Sequence, residues 1–158
     1  MLKEMLGINT GILSDLHKDH QEVAALLQKM IDSSDARERG DLIKEIANSL
    51  LPHAHAEQNV LYKRMEKSEQ EASRKFALEG TNEHAIVEKQ VELLMRERDK
   101  ASERWTAEAT VLQELVEHHV AEEESTGFSQ ARSDFDSATL EKLGEQFRQQ
   151  KEKLMAAG

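Results

Sequence analysis

The chain contains no cysteine, and this absence limits the chemistry open to it. Disulfide frameworks, thiolate nucleophiles, iron–sulfur clusters and cysteine-based zinc sites are excluded, so any bound metal must be held by histidine and carboxylate side chains. A single proline and seven glycines interrupt the 158 residues. Their scarcity, with long runs of Ala, Leu, Glu, Lys, Gln and Arg, predicts an all-α fold.

Excess positive charge is also absent. The formal net charge is -10, whereas nucleic-acid binding needs clustered Lys and Arg to neutralise phosphates. We therefore expect no nucleic-acid partner. Residues 1–20 contain only short apolar pieces broken by charge, unlike a signal peptide or a membrane-spanning helix. The expectation is a soluble cytoplasmic protein with no membrane partner.

Apolar residues recur at alternating three- and four-residue spacing in four long stretches, which indicates four amphipathic helices. The stretches cover about residues 10–31, 37–65, 70–100 and 103–125. The length fits a single domain, 1–158, in which a bundle of about residues 10–126 precedes a turn over FSQARSDFDS and a C-terminal helix over about 136–156. Short connections predict an up-down-up-down four-helix bundle, with the additional helix packed on it as a strap.

Four histidines lie near the middle of these helices, one on the apolar stripe of each helix. They are His20, His53, His84 and His119. One histidine on an apolar face is usually a hydrogen-bonded core side chain, but four on four helices indicate a shared site. The steps from His20 to His53 and from His84 to His119 are similar in length, which suggests two similar helical hairpins.

A glutamate follows His53, His84, His118 and His119 by one helical turn, and the strong pairs are His53 with Glu57 and His119 with Glu123. Both members of such a pair can reach one site. Burial of a glutamate without a cation or donor is costly, so Glu57 on an apolar stripe itself predicts metal. Four imidazoles and two carboxylates exceed the needs of one structural zinc and fit two ions better. The mixed nitrogen and oxygen shell favours iron, with manganese and zinc ranked behind it.

The segments that contain these residues resemble the ligand segments of the hemerythrin-like, or HHE cation-binding, domain family. The segments are LHKDHQEV, LLPHAHAEQNVLY, NEHAIV and LVEHHVAEEESTGF, and together the resemblance spans nearly the whole chain. It implies a bridged centre of two iron ions inside a four-helix bundle that binds dioxygen or a related small ligand. Matched residue by residue, the implied metal ligands are His20, His53, Glu57, His84, His119 and Glu123.

The chain departs from the oxygen-carrying members of the family on its third and fourth helices. Those proteins use an extra histidine on the third helix and an HxxxxD motif on the fourth, whereas Gly80 and Glu88 flank His84 here. Gln58 stands where the family often has a second acid. We therefore expect sensing, storage or stress protection with dioxygen, peroxide or nitric oxide as the ligand. A catalase-like, peroxidase-like or nitric-oxide-reducing enzyme and an iron store are the alternatives.

The sequence leaves the roles of several neighbouring residues open. Glu124 competes with Glu123 for the carboxylate position on the fourth helix, while His118 lies off the apolar stripe that favours His119. His55 is expected at the surface or just outside the site, and His17 at its mouth or without a role. Tyr62 could pack in the core, donate a hydrogen bond to bound oxygen or bind metal, and core packing is favoured. The sequence does not indicate an oligomeric state.

Overall fold

The computed structural model describes residues 9–158, so the first eight residues of the predicted domain lie outside the described residues. Between residues 9 and 158 the regular elements are helical and none is a strand. The helices are α1 (Ile12–Asp32), α2 (Ala36–Glu57), α3 (Lys63–Met65), α4 (Glu71–Arg96), α5 (Glu103–Glu122), α6 (Phe128–Asp134) and α7 (Ser137–Ala157). Two π-helical segments, Gln58–Tyr62 and Glu123–Gly127, continue α2 into α3 and α5 into α6.

Side-chain caps begin three of the helices. The side chains of Asp35, Ser102 and Asp136 each accept a hydrogen bond from the backbone amide three residues later, at 2.8, 3.1 and 2.8 Å. Each cap satisfies one of the amides that a helix N-terminus leaves without a partner. These short polar residues therefore fix where α2, α5 and α7 begin.

The long helices α1, α2, α4 and α5 form the predicted four-helix bundle, and its core is divided into two apolar clusters. One, the tryptophan-side cluster, is built around Trp105 and includes Leu27, Ile46, Val91 and Leu112. The other, the tyrosine-side cluster, includes Tyr62, Phe76, Phe128 and Phe147. The layer between the two clusters contains the histidines, so apolar packing above and below holds the polar layer in place.

The C-terminal helix α7 packs along α1, which confirms the additional helix predicted from sequence. Gly11 has a φ of 58°, and a Cβ there would lie 2.2 Å from the carbonyl oxygen of Leu140. Glycine is therefore required where the start of α1 meets α7. Further along both helices Arg148 pairs with Asp15 at 2.6 Å, so α7 runs parallel to α1.

The predicted turn over FSQARSDFDS is wrong, because Phe128–Asp134 forms the helix α6. Its serines and aspartate indicated a chain break, but Phe128 and Ala131 are buried one turn apart and fasten the segment to the tyrosine-side cluster. Helical structure therefore extends past residue 126, and the extended backbone of Phe135 ends it.

Between residues 9 and 158, no helix has both the length and the apolar character needed to cross a bilayer.

Candidate metal centre

The six predicted ligand residues lie together in the layer between the two apolar clusters, and none is more than 8% exposed. They form two triads, within each of which the candidate ligand atoms lie within 4.8 Å of one another. The first triad is His20, His53 and Glu123; the second triad is Glu57, His84 and His119. Two imidazoles and one carboxylate with open positions are the donor set typical of non-haem iron.

Each HxxxE motif is divided between the two triads. His53 belongs to the first triad and Glu57 to the second, whereas His119 belongs to the second and Glu123 to the first. The members of a pair nevertheless lie close together: His119 Nε2 is 3.8 Å from Glu123 Oε2, and Glu123 Oε1 is also 3.0 Å from His20 Nε2. Glu57 Oε1 lies 3.2 Å from His84 Nε2 and 3.8 Å from His53 Nε2. Both glutamates thus stand between the triads, where a carboxylate can bridge two ions.

The outward nitrogen of each of the four candidate ligand histidines faces an acceptor on another element, and we call this set of contacts the acceptor ring. The contacts to histidine Nδ1 are His53 with Asp19 at 2.8 Å, His84 with Gln58 at 2.7 Å, His119 with Glu83 at 2.7 Å and His20 with Glu124 at 2.8 Å. Since carboxylate and amide oxygens accept, each ring places its proton on Nδ1. In a neutral ring, Nε2 then presents a lone pair to the interior.

The inward atoms lack the partners that a buried site needs unless cations lie among them. His84 Nε2 and His119 Nε2 are 3.1 Å apart, so their lone pairs face each other. Glu57 Oε1 faces the same His84 nitrogen at 3.2 Å and finds no hydrogen-bond donor there. Buried polar atoms are almost always satisfied, and an unpaired buried charge is costly. The donor set therefore fits bound metal ions.

Burial sets the charge states of the layer. Burial, and next the charge of Glu123, raise the pKa of Glu57 well above its usual value. Burial lowers the pKa of His84 to about 3, helped by the neighbouring His119, so this ring is neutral at pH 7. Burial also opposes the charge of His20, but the carboxylates of Glu123 and Glu124 outweigh it and raise the pKa to about 9. A metal ion at His20 would therefore displace a proton.

Tyr62 is fully buried and belongs to the site as well as to the core. Its hydroxyl donates a hydrogen bond to Glu123 Oε2 and lies 3.3 Å from His119 Nε2. The ring stacks on His84 with the centroids 5.2 Å apart. A Cβ at Gly80 would lie 2.7 Å from the Tyr62 ring. Glycine at position 80 on α4 thus makes room for the phenol ring.

The remaining candidates lie outside the layer. Glu124 has a side chain that is 27% exposed and accepts from His17 as well as His20, whereas Glu123 is buried inside. His118 is 72% exposed, and His55 is 50% exposed and paired with Glu88. Their positions agree with the preference for Glu123 and His119, although the ligand roles themselves stay predictions.

Sequence reasoning missed three acceptors, Asp19, Gln58 and Glu83. A signal was present, because each of them is the immediate chain neighbour of a predicted ligand. Adjacent residues on a helix point about 100° apart, so a neighbour of an inward ligand is turned toward the next helix of the bundle. The partner on that next helix could not be identified without the fold.

A cavity of about 30 Å³ lies against the histidines on the tryptophan side of the layer. Its walls contain all four candidate ligand histidines and Asp19, and the rest are apolar side chains that include Val23, Val87 and Val116. The cavity therefore offers enclosed space next to the candidate ligands.

The fold and the two triads define a helical metal-binding domain. The family model of the hemerythrin HHE cation-binding domain matches residues 11–131, and the chain belongs to this family. It is also 27% identical over 143 residues to a protein named DNA nickase from Nostoc sp. (strain PCC 7120 / SAG 25.82 / UTEX 2576). That match covers 88% of this chain but only 38% of the relative. No solved structure matches the chain.

Proposed function

We propose that the two triads hold a pair of iron ions bridged by Glu57 and Glu123, and that this centre binds one small ligand for sensing, storage or stress protection. The observation that carries the proposal is the pair of buried triads, each with two imidazoles and one glutamate, and with the glutamates between them. A bridged pair of iron ions supplies redox chemistry and an open position for dioxygen, peroxide or nitric oxide.

The donor chemistry supports iron over the competing metals. One structural zinc takes four ligands, whereas the six groups here form two triads and fit two ions. Manganese and magnesium prefer shells dominated by oxygen, and four of the six groups are imidazoles. Zinc and manganese are nevertheless tested directly by the metal analysis below.

The cavity supports a ligand of very few atoms. A water molecule needs about 10–15 Å³ in this measure, so a cavity of about 30 Å³ admits roughly one diatomic molecule. The valine walls favour a neutral or weakly polar ligand, and they keep bulk water away from the histidines. Dioxygen, peroxide and nitric oxide meet the size limit, while organic substrates do not.

Tyr62 favours a second candidate function, the turnover of peroxide by the same centre. Its hydroxyl is a proton donor held against Glu123 inside the layer. Disproportionation of two hydrogen peroxide molecules into water and dioxygen requires protons to be moved, and a positioned phenol can relay them. Peroxide consumption that falls at least tenfold in Tyr62→Phe, with iron content unchanged, would favour the enzyme over the binding protein.

DNA is not the proposed partner, although the Nostoc relative is named a nickase. This chain corresponds to 38% of that protein and has a net charge of -10, which opposes phosphate binding. Absence of any mobility shift with duplex DNA at low salt is the expected result.

We also propose a cytoplasmic location for the protein.

Metal analysis of protein purified without added metal tests the main proposal. Two irons per chain are expected in the wild type and in His118→Ala, whose ring is exposed. His84→Ala should lose iron, because it removes an imidazole from the second triad. One tightly held zinc per chain, or an equal iron content in His84→Ala and His118→Ala, would overturn the proposal.

A further inference from the structure

Helix α7 lies outside the residues that match the family model, yet it reaches the metal centre through Asp19. Lys151 Nζ donates to both carboxylate oxygens of Asp19, at 3.0 and 2.9 Å. Asp19 Oδ2 in turn accepts from Nδ1 of His53 at 2.8 Å. A continuous chain of contacts therefore runs from the C-terminal helix to a candidate ligand of the first triad.

A second residue of α7 contacts the same histidine directly. Phe147 is fully buried, and its ring meets the ring of His53 at an interplanar angle of 85°, with the centroids 5.6 Å apart. Lys151 follows Phe147 by one turn and places its ammonium 5.5 Å from the Phe147 ring centroid. The helix thus supports His53 through an aromatic contact and through an ion pair.

Asp19 is the carboxylate of the acceptor ring that most needs a partner. Its side chain is 11% exposed, whereas those of Glu83 and Glu124 are 31% and 27% exposed and can be solvated. Gln58, the fourth acceptor, has no charge to compensate. With His53 as its sole donor, the Asp19 carboxylate would be a nearly buried anion free to rotate toward water.

We propose that Lys151 is a positioning residue of the metal centre, and that docking of α7 and metal binding stabilise each other. The ammonium holds the Asp19 carboxylate in the orientation that fixes the proton of His53 on Nδ1, which leaves Nε2 directed inward. Because coupling between two equilibria is reciprocal, a metal ion bound at His53 also strengthens the attachment of α7. This inference rests on the proposed metal site.

Iron(II) titration under anaerobic conditions tests the positioning role. Lys151→Met retains most of the aliphatic stem over Phe147 but removes the ammonium, and we expect the iron affinity to fall about tenfold, as for residues that orient metal-binding histidines. Lys151→Arg should restore most of the affinity. Lys153→Met removes an equal charge from an exposed position of the same helix and should match the wild type. Unchanged or tighter binding by Lys151→Met would overturn the proposal.

Amide hydrogen exchange of α7 tests the coupling in the unaltered protein. Iron(II) should slow exchange in Ser137–Ala157 of the wild type, and this protection should be lost in Lys151→Met. If the wild type takes up no metal, the proposed function fails. If it takes up metal while exchange in α7 is unchanged, the proposed function survives and this inference fails.

Discussion

Replacing Glu57 by glutamine should stabilise the metal-free protein, but it should make the protein less stable than the wild type when metal is present. Glu57 is fully buried, its Oε1 lies 3.2 Å from the neutral ring of His84, and the charge of Glu123 opposes its ionisation. An unsatisfied buried group costs about 1–3 kcal/mol, and more if it is charged. Glutamine keeps the shape and removes the charge. We therefore expect metal-free Glu57→Gln to be more stable than the metal-free wild type by at least about 1 kcal/mol, or about 2–4 °C in Tm for a domain of this size.

With metal bound, the wild type should become more stable than Glu57→Gln. A ligand that binds only the folded state adds about 2.7 kcal/mol at a concentration one hundred times its Kd. The wild type should gain this stabilisation, whereas Glu57→Gln loses the second triad's carboxylate and should gain much less. Thermal unfolding with and without iron(II) measures both effects. Glu88→Gln, at the surface beside His55, is the control and should stay within about 0.5 kcal/mol of the wild type.

Two outcomes would contradict this reasoning. A metal-free Glu57→Gln that is less stable than the wild type would mean that the carboxylate is already satisfied. An equal stabilisation of both proteins by metal would mean that Glu57 is not a ligand.

The pH dependence of the same variant gives an independent check. The pKa of folded Glu57 is raised above 4.5 by burial and then by Glu123, so the folded state holds this proton more tightly than the unfolded chain. The stability that protonated Glu57 contributes is fully present below pH 4.5 and is lost as the pH rises through the raised pKa. The stability difference between metal-free Glu57→Gln and the wild type should therefore widen across that interval. A difference that does not change with pH would contradict the pKa shift.

Further predictions concern the residues that surround the triads. Gly80→Ala places a Cβ 2.7 Å from the buried Tyr62 ring and should destabilise the protein by about 1–3 kcal/mol in urea unfolding. Gly40→Ala, whose Cβ would meet only Lys100 at 3.7 Å, should be stabilising by about 0.5–1 kcal/mol, and equal effects of the two would refute the steric argument. Gln58→Glu gives Nδ1 of His84 a charged acceptor and should tighten iron(II) binding by up to about tenfold in a titration, whereas weaker binding would show that the amide is required.

The fold and the family could be predicted because their signals are local. Three- and four-residue spacing gave the four long helices and the C-terminal helix, and the HxxxE motifs gave the resemblance that the family match over residues 11–131 confirms. The turn predicted over residues 128–137 failed for the converse reason. Its polar composition is local, but the burial of Phe128 and Ala131 against other elements is not.

The sharing of each motif between two triads could not be predicted from spacing. On one helix His53 and Glu57 lie on one face, yet the structure assigns them to different triads, because the ligands contributed by α1, α4 and α5 decide which groups meet. The prediction for Tyr62, which favoured core packing, was incomplete for the same reason. Its hydroxyl partner, Glu123, is 61 residues away in the chain.

The acceptor ring has a consequence for how the chain tolerates change. Asp19 on α1 serves α2, Gln58 after α2 serves α4, Glu83 on α4 serves α5, and Glu124 after α5 serves α1. Each helix therefore contributes two adjacent residues with different contacts. One is a candidate ligand of a triad, and the other accepts a hydrogen bond from a histidine on another helix. A one-residue insertion in any of the four helices would rotate both out of place and disturb a neighbour that is itself unaltered. Relatives should therefore differ by paired substitutions on neighbouring helices. The residue at position 19 should change together with residues around His53, and not with residues around its chain neighbour His20.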